Sequence, residues 1–412
     1  MNSVIEILYT SMTWILYPLT WIILRWRLAN GKEDPGRYLE KMGFYKGTPA
    51  KSVVWIHGVS IGESRVGINA ISILQKIFPR VTFLLTSGTV GAAAVFDKLK
   101  MQNVSHCYIP LDTPQAVSKF YAHWQPQVGF FVGSELWPNL CWGARKRNIP
   151  LVMLNGIMSD RSAHIWARLN TFMSPLLKSF ALCFAQDKKQ KTIYEKLGAP
   201  RVVLGHNLKL LAEAPLIRKD ILDEYRMRFQ GRRLFLGASV HPGEYEKLID
   251  LLPTQDPKFL LVLAPRHMTS VPLICDVLRS KNIPYSLHSE GFKPTDRVYI
   301  VDTFGDLGLF YALCPQTFVG ATWISRGGHN PIEAAQMGSY VFHGPHTEKN
   351  QDLFDYLKDK GWASEVADDR DLADQIKIAH TSPPIDWQAQ RLMIEEEFTQ
   401  TLKSVNLRVT HV

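Results

Sequence analysis

The feature that most constrains this chain is the repeated alternation of short, uninterrupted apolar runs with segments of helical periodicity. The runs cover residues 53–57 (VVWIH), 81–86 (VTFLLT), 128–132, 151–154, 234–236, 259–263 (FLLVL), 298–301 and 317–319. Strands that are apolar on both faces are typical of parallel sheets covered by helices on both sides. The sequence therefore predicts an α/β protein with two Rossmann-like halves.

The order of these segments divides the chain into four parts. We expect an N-terminal membrane anchor over 1–30, a first Rossmann-like domain over 31–212 and a second over 213–385. We expect a last helix within 386–412. One possible arrangement is that this helix crosses back and packs on the first domain. Ligands bind such sheets at the carboxyl ends of their strands, so we expect the two domains to face a cleft.

Composition narrows the class of partner. The 412 residues are 46% hydrophobic and 21% charged, which is ordinary for a globular chain with two cores. The net charge of +9 favours an anionic partner, such as anionic lipid, a phosphorylated substrate or nucleic acid. No run of five Lys or Arg and no zinc-ligand spacing occurs, which argues against nucleic acid. Five cysteines without a CxxC pair predict reduced, buried thiols in a cytosolic body.

The N-terminal segment 7–24 (ILYTSMTWILYPLTWIIL) contains no charged residue. As one helix it would extend roughly 27 Å, enough for a hydrocarbon core. A cleaved signal peptide is disfavoured because the start is not basic and no small-x-small site follows. A spanning helix, a helix lying in the membrane interface and a buried helix of a soluble body all stay open.

Residues within and after this segment indicate how it meets a membrane. Trp14, Trp21 and Trp26 suit a membrane interface. Several cations follow the apolar run: Arg25, Arg27, Lys32, Arg37 and Lys41. By the positive-inside rule, we expect the body of the protein on the cytoplasmic side.

Carboxylates follow two strands of the first half. Glu63 lies in VSIGES (59–64), where a carboxylate either caps the helix or acts as a general base, and these alternatives stay open. Glu135 in FVGSELWPNLC (131–141) is either a charge of the first helical turn or a functional group. In LNGIMSDRS (154–162), Arg161 and small polar residues suit an anionic acceptor, although this signal is weak alone.

Polar loops follow the strands of the second half. The loop GASVHPGE (237–244) is expected to offer backbone N–H groups to a phosphate. Arg266 in LAPRH can pair with a phosphate through its guanidinium group. The backbone around 304–306 in VDTFGDLG is placed to contact a base edge.

The segment 325–338 (SRGGHNPIEAAQMG) is the strongest of these loops. Gly327 and Gly328 would let the backbone pass close to a ligand, and Glu333 can accept hydrogen bonds from ribose hydroxyls. The alternative is a helix capped by Asn330, with Glu333 as its capping-box partner. With Arg266 and the other loops, we favour a nucleotide site.

These segments together resemble the 3-deoxy-D-manno-octulosonic acid (Kdo) transferases of Gram-negative lipopolysaccharide synthesis. The matching signatures follow the family's order and cover nearly the whole chain: VSIGE, SELWPN, SDRS, NLK, SVHPGE, PRH, DTFGDL, GGHNPIEA and HGPHTEKNQD.

The resemblance implies a GT-B glycosyltransferase fold. The expected activity is inverting transfer of Kdo from CMP-Kdo to the lipid A precursor, a tetraacyl diglucosamine bisphosphate (lipid IVA). The expected location is the cytoplasmic side of the cell inner membrane. Neither a metal nor another cofactor is expected.

The resemblance also implies site residues. Glu63 matches the family's catalytic base, and Lys209 matches a lysine that stabilises the transition state. The positions that match CMP-binding residues are Pro265, Arg266, Phe304, Gly305, Asp306, Asn330, Pro331, Ile332 and Glu333.

Three positions depart from the family pattern. Gly133 occupies the place of a glutamate implicated in the transition state, for which Glu135 is a possible substitute. Ile157 replaces an arginine, and His206 replaces a glycine.

The sequence also admits two alternative hypotheses to a Kdo transferase. A sugar-nucleotide epimerase of similar fold would have no need of the anchor. A degenerate homologue that binds CMP-sugar or the lipid A precursor without turnover is disfavoured by the intact Glu63 and Lys209.

Overall fold

The computed structural model describes residues 4–47, 52–99, 101–133, 136–205, 208–211, 213–253, 256–378, 380, 383–405 and 407. The chain divides into two compact units. The first comprises Met1–Ala212 and Gln388–Val412, and the second comprises Glu213–Trp387. The chain therefore leaves the first unit after one sheet, completes the second unit, and returns.

The first unit contains a parallel sheet of seven strands within its described residues. The strands are β1 Val53–His57, β2 Thr82–Ser87, β3 Val104–Tyr108, β4 Pro126–Val132, β5 Leu151–Gly156, β6 Phe180–Ala185 and β7 Val202–Leu204. Their order across the sheet is β3-β2-β1-β4-β5-β6-β7. This is a doubly wound sheet, and its strand order reverses between β1 and β4.

Helices cover both faces of this sheet. The helices of this part of the chain are α1 Val4–Ile15 and α2 Tyr17–Ala29, which precede the sheet, and α3 Ile61–Ile77, α4 Val90–Leu99, α5 Pro114–Trp124, α6 Pro138–Lys146, α7 Asp160–Arg168, α8 Asn170–Leu177 and α9 Lys188–Lys196. Short 3₁₀ turns lie at Tyr38–Met42 and Leu208–Leu211. Trp55, Phe120, Phe131 and Trp142 are the large side chains at the centre of the core.

The second unit repeats the design with seven described strands in the order β10-β11-β9-β8-β12-β13-β14. The strands are β8 Arg233–Val240, β9 Phe259–Pro265, β10 Tyr285–Leu287, β11 Val298–Ile300, β12 Gln316–Val319, β13 Tyr340–His343 and β14 Ala363–Glu365. The helices are α10 Lys219–Arg228, α11 Tyr245–Asp250, α12 Val271–Ser280, α13 Leu307–Leu313, α14 Ile332–Gln336, α15 Gln351–Asp359 and α16 Asp369–Gln375. The strand order here reverses between β8 and β12.

The last helix, α17 Trp387–Lys403, packs on the first unit for nearly all of its length. The rings of Phe398 and Phe184 lie 5.0 Å apart, and Glu395 pairs with Lys76 of α3 at 2.5 Å. Arg201 donates to the hydroxyl of Ser404 at 2.9 Å.

The predicted α/β class is confirmed, and each of the eight predicted apolar runs forms a strand. Six further strands were missed. β3, β10 and β14 lie at sheet edges, where partly exposed polar side chains such as Ser105 interrupt the apolar pattern. β7 is a half-exposed strand of three residues, whereas the runs of β6 (FALCFA) and β13 (YVFH) are as apolar and as long as strands that were predicted, so no structural reason accounts for their omission.

The N-terminal apolar segment is not the continuous helix that the sequence predicts. It breaks at Leu16 into α1 and α2, which are bent by 55°. Pro18 lies in the first turn of α2, where its missing N–H costs nothing, whereas the interior of one long helix would lose a hydrogen bond there. Among the described residues, no single helix is long and apolar enough to cross a membrane; α1 and α2 meet that test of length and composition only as a bent pair.

Candidate functional site

The first candidate centre lies where the strand order of the first sheet reverses. β1 and β4 are neighbours there, and the segments that follow them lie at the same carboxyl edge. Glu63 lies in the first turn of α3, directly after β1, and Gly133 directly follows β4. The fold thus brings together two positions that are seventy residues apart in the sequence.

Glu63 forms the capping box of α3. Its Oε2 accepts a hydrogen bond from the Ser60 backbone N–H at 2.8 Å, and the Ser60 hydroxyl accepts one from the Glu63 N–H at 3.3 Å. The capping alternative is therefore present, but it uses only Oε2. The other carboxylate oxygen, Oε1, lies next to Gly133.

Gly133 has a geometry that other residues adopt with strain. Its φ is +77°, and a Cβ added there would lie 3.0 Å from Glu63 Oε1. A side chain at this position would therefore reach the Glu63 carboxylate before any other group. Glu135 falls outside the described residues, so its role as a substitute carboxylate stays a prediction.

Lys209 lies in the 3₁₀ turn Leu208–Leu211, which packs against α3. The Asn69 side chain of α3 donates to the Leu208 carbonyl at 3.3 Å, and Arg391 of α17 donates to the Leu211 carbonyl at 2.9 Å. The turn is thus held at both ends, on one side by the helix that begins with Glu63. His206 falls outside the described residues.

The second candidate centre lies where the strand order of the second sheet reverses, between β8 and β12. His241 follows β8, and His329 belongs to the loop after β12. Their Nε2 atoms are 3.0 Å apart, and their rings stack at an interplanar angle of 13°. They border a cavity of about 380 Å³ that is also lined by Arg266, Arg326 and Lys349.

This cavity is cationic. Arg266, Arg326 and Lys349 are exposed, and none of them is in an ion pair within the part of the chain that the structure describes. Burial lowers the pKa of His241 and of His329 to about 4, with smaller contributions from Arg266, Lys349 and His267 for both rings and from Arg326 for His241. Both imidazoles are therefore neutral near pH 7, and an anion that entered the cavity would meet uncompensated positive charge.

The loop 237–244 does not form the phosphate cradle that the sequence predicts. The buried Glu244 carboxylate accepts hydrogen bonds from the backbone N–H groups of His241, Ala321, Thr322 and Trp323 at 2.8 to 3.1 Å. The Gly243 N–H bonds to Glu246 at 2.7 Å. The chain's own carboxylates thus occupy these donors, and Glu244 ties the loops after β8 and β12 together.

The glycine pair of the segment 325–338 contacts another part of the chain, residues 349–350, where the sequence predicted a ligand. Gly327 and Gly328 have φ values of +83° and +74°. A Cβ at Gly327 would lie 2.7 Å from Lys349 Cγ, and the Gly328 carbonyl accepts from Asn350 Nδ2 at 2.8 Å. The glycines let residues 349–350 approach, which places Lys349 beside the cavity.

The capping box that was the alternative for Asn330 and Glu333 is not formed. Asn330 Oδ1 accepts from the Ile332 N–H at 3.0 Å, and Pro331 rather than Asn330 is the N-cap of α14. Burial, with a smaller contribution from the charge of Glu333, raises the pKa of Tyr311 in α13. Glu333 therefore lies near α13, which packs against α14.

The residues 304–306 lie just before α13. Phe304 is 83% exposed, Gly305 has a φ of +101°, and Asp306 accepts a hydrogen bond from the Thr303 hydroxyl. Arg266 directly follows Pro265, the last residue of β9, and its N–H bonds to the Val240 carbonyl at 2.9 Å. The predicted CMP-binding positions all lie in the second unit, at the end of β9 and in the segments that follow β9, β11 and β12, including the first residues of α14.

A family model described as 3-deoxy-D-manno-octulosonic-acid transferase (kdotransferase) matches residues 36–212. A probable mitochondrial 3-deoxy-D-manno-octulosonic acid transferase of Arabidopsis thaliana is 31% identical over 354 residues, covering 82% of this chain and 79% of the relative. The chain belongs to the 3-deoxy-D-manno-octulosonic acid transferase family. The Rickettsia bellii (strain RML369-C) transferase is 29% identical, with 84% of each chain covered. Membership in this family makes the chain a Kdo-type glycosyltransferase.

Solved structures show the same fold. HepE of Anabaena, in complex with UDP and glucose, matches with a TM-score of 0.58 at 14% identity, over 86% of this chain and all of that one (100%). The UDP-GlcNAc 2-epimerase of Neisseria meningitidis matches with a TM-score of 0.53 at 12% identity, over 87% and 94%. The chain has the GT-B fold, and these likenesses concern the fold alone.

Sequence reasoning missed several residues of this Kdo-type transferase's second centre. His241, Arg326, Lys349 and Glu244 had no assigned role. Lys349 belongs to the segment HGPHTEKNQD, one of the signatures that resemble the family, so the sequence pointed to this segment although it assigned no role to the lysine. No group of three His, Cys, Asp or Glu residues able to hold a metal ion occurs among the described residues.

Proposed function

We propose that this protein transfers Kdo from CMP-Kdo to the tetraacyl diglucosamine bisphosphate precursor of lipid A, with inversion. An acceptor hydroxyl oxygen attacks the anomeric carbon of Kdo, and its proton passes to the Glu63 carboxylate. The bond from that carbon to the CMP phosphate oxygen breaks, and CMP leaves with the electron pair. Lys209 stabilises the oxocarbenium-like transition state and the developing charge.

The observation that carries this proposal is the position of Glu63 at the reversal point of the first sheet. Ligands of open α/β sheets bind at such points. The cap fixes Oε2, so the carboxylate has a defined orientation, while Oε1 lies beside Gly133, a residue without a side chain. A carboxylate held in this way suits a general base.

The cationic cavity of the second unit supports an anionic donor. CMP-Kdo carries a phosphodiester and a sugar carboxylate, and the cavity presents Arg266, Arg326 and Lys349. A guanidinium can bind such groups with two hydrogen bonds. We assign the phosphate to the loop of Arg266, and the base and ribose to 304–306 and 330–333.

The test of the reaction is a transfer assay. Purified full-length protein in detergent receives freshly generated CMP-Kdo and the tetraacyl acceptor, and products are identified by mass spectrometry. A product heavier by one or two Kdo units supports the proposal. Absence of product from protein that still binds CMP would favour the second candidate, a binding-only homologue, which Gly133 at the family's glutamate position keeps open.

The test of the base uses Glu63→Gln. Glutamine also serves in a capping box, so this change removes the base while it retains the cap. We expect kcat to fall roughly 10²- to 10⁴-fold with CMP affinity unchanged. The matched control, Ser60→Ala, weakens the cap by about 1 kcal/mol but keeps the carboxylate. Near-normal turnover of Glu63→Gln would remove Glu63 as the base.

We also propose that the protein lies on the cytoplasmic face of the inner membrane, with α1 and α2 in the interface. One face of α1 is bound to the first unit. Glu6 is buried and pairs with Arg145 and Lys146 at 2.5 and 2.9 Å, and the Tyr9 hydroxyl donates to Asp112 at 2.9 Å. Asn139 Nδ2 donates to the Thr13 hydroxyl at 2.9 Å.

The other face of the pair is apolar and exposed. The residues concerned are Ile7, Leu8, Trp14, Ile15, Leu19, Ile22, Ile23 and Trp26. A helix fixed to the body along one side is not surrounded by lipid, so these contacts favour an interfacial pair over a span. Arg27 and Lys41 both pair with Glu33, and Arg37 pairs with Glu40. Within the described residues this leaves Arg25 and Lys32 as the cations of this segment for anionic lipid.

A further inference from the structure

The first unit contains a second cavity, of about 430 Å³, that is apolar. Its lining includes Tyr9, Trp137, Ile157, Trp166 and Phe172, and no charged side chain borders it among the described residues. The rings of Trp166 and Phe172 are stacked at 5.9 Å, and the Tyr9 and Phe172 rings lie 5.8 Å apart. Because Asp112 holds the Tyr9 hydroxyl, that polar group is already satisfied.

The cavity lies at the same edge of the sheet as Glu63. Residues 136–138 of its lining follow β4, and residues 157–159 follow β5. β4 is the neighbour of β1, which leads to Glu63. With strands about 4.8 Å apart, the cavity lies one to two strand positions from the proposed base.

The surroundings of the cavity favour a lipid. One wall is Tyr9 of α1, whose opposite face is part of the exposed apolar surface of the α1–α2 pair. Another wall is α7, in which no residue is fully buried and Ile165 is 46% exposed. Arg161 and Arg168 of α7 are exposed and in no ion pair within the described ranges, so cationic groups adjoin an apolar cavity.

We propose that this cavity binds one acyl chain of the lipid acceptor, so that the chain is drawn out of the membrane as its sugar meets Glu63. This inference rests on the proposed function. A methylene occupies about the volume of a water molecule, roughly 30 Å³, so the cavity has room for on the order of a dozen.

One feature of the lining suits this occupant directly. Ile157, where an arginine is usual in the resembling family, gives the cavity an apolar side chain in place of a charge. Isoleucine at position 157 thus favours an acyl chain of the acceptor here over one of its charged groups.

The first experiment locates the chain directly and needs no turnover. The full-length protein in nanodiscs of defined lipid is mixed with tetraacyl diglucosamine bisphosphate that carries a diazirine near one acyl terminus. After irradiation, mass spectrometry maps the adducts. We expect adducts within residues 136–138 and 157–176. Adducts confined to the exposed faces of α1 and α2 would show insertion in the membrane only and would overturn the proposal.

The second experiment compares acceptors with and without acyl chains. Ile157→Arg makes the lining charged, and Ser162→Trp fills the cavity from α7. In each variant we expect the KM for the tetraacyl acceptor, relative to the KM for the deacylated sugar, to rise about tenfold, equivalent to about 1.4 kcal/mol. Leu216→Arg, at a side chain 99% exposed in the second unit, is the control for added charge and keeps the wild-type ratio.

The two experiments separate the cavity from the reaction. An unchanged ratio in both variants, with thermal stability equal to that of the wild type, would refute the acyl subsite and leave the transferase intact. Adducts at the cavity in a protein that transfers Kdo to no acceptor would refute the proposed function and retain the lipid site.

Discussion

At the scale of single residues, the contact between Gly133 and Glu63 is the one whose change is easiest to interpret. Gly133→Ala places a Cβ 3.0 Å from Oε1 at a φ of +77°. The left-handed backbone alone costs about 1–2 kcal/mol of folding free energy. We also expect kcat to fall, because the carboxylate must move. Urea unfolding and the transfer assay measure the two effects.

Gly231 supplies a matched control for this prediction. It has the same φ of +77° but no atom within 4 Å of an added Cβ. Gly231→Ala should therefore lose a similar stability and retain the wild-type kcat. If both variants turned over equally, the position of Oε1 would not matter for the chemistry.

The paired imidazoles predict a dependence of stability on pH. Burial and neighbouring cations lower the pKa of His241 and of His329 to about 4 in the folded state, below the ordinary value of about 6.5. Between pH 4 and 6.5 the unfolded chain binds more protons at these two histidines than the folded protein does. The contribution of the neutral imidazoles to the free energy of unfolding is thus fully present above pH 6.5 and is lost as the pH falls to 4.

The measurement is the free energy of unfolding from pH 7 to 4. We expect His329→Gln to reduce the slope between pH 6.5 and 4, with His346→Gln, outside the pair, as control. A slope equal to that of the wild type would mean that the pair does not resist protonation.

At the scale of elements, the exposed apolar face of the α1–α2 pair predicts binding to membranes. Leu8 and Ile22 are 64% and 65% exposed, one on each helix. Replacing either by Asp should weaken binding to anionic vesicles at least tenfold, because burial of such a side chain contributes about 1.5–3 kcal/mol. Leu216→Asp is the control, and sedimentation with vesicles is the measurement. Equal binding of all variants would place the membrane contact elsewhere.

A cysteine at position 4 separates an interfacial pair from a span. Val4 is 72% exposed, and all five native cysteines are buried. For Val4→Cys, the interfacial arrangement predicts labelling by an impermeant maleimide in inverted inner-membrane vesicles. Labelling only in right-side-out spheroplasts would show that the segment crosses the membrane.

At the scale of the whole molecule, the two units predict separate responses to donor and acceptor. CMP should slow hydrogen exchange in the segments after β9, β11 and β12, all in the second unit. The lipid acceptor should slow exchange in residues 58–64 and 157–176 of the first. Protection by CMP that is confined to the first unit would show that the donor loops were assigned to the wrong sheet.

The sequence predicted the fold class because buried strands of parallel sheets are continuous apolar runs, as in residues 259–263. It did not predict the bend at Leu16, because a run of uncharged, apolar residues reads as one helix by hydropathy, although Pro18 disfavours the interior of a continuous helix. It placed Glu63 and Gly133 each at the end of a strand, but their contact depends on which strands are neighbours. His241 and Lys349 were missed for the same reason, since they meet only across the sheet reversal.

The return of α17 to the first unit has a consequence for synthesis in the cell. The Lys209 turn is held by Arg391, which is translated only after the whole second unit. At about 5–20 residues per second, the ribosome reaches that arginine on the order of ten seconds or more after residue 211. During translation of the second unit, the sheet that precedes Glu63 is therefore not yet covered by α17. Premature stop codons within the second unit should therefore yield a first unit in which the Lys209 turn lacks its contact with Arg391.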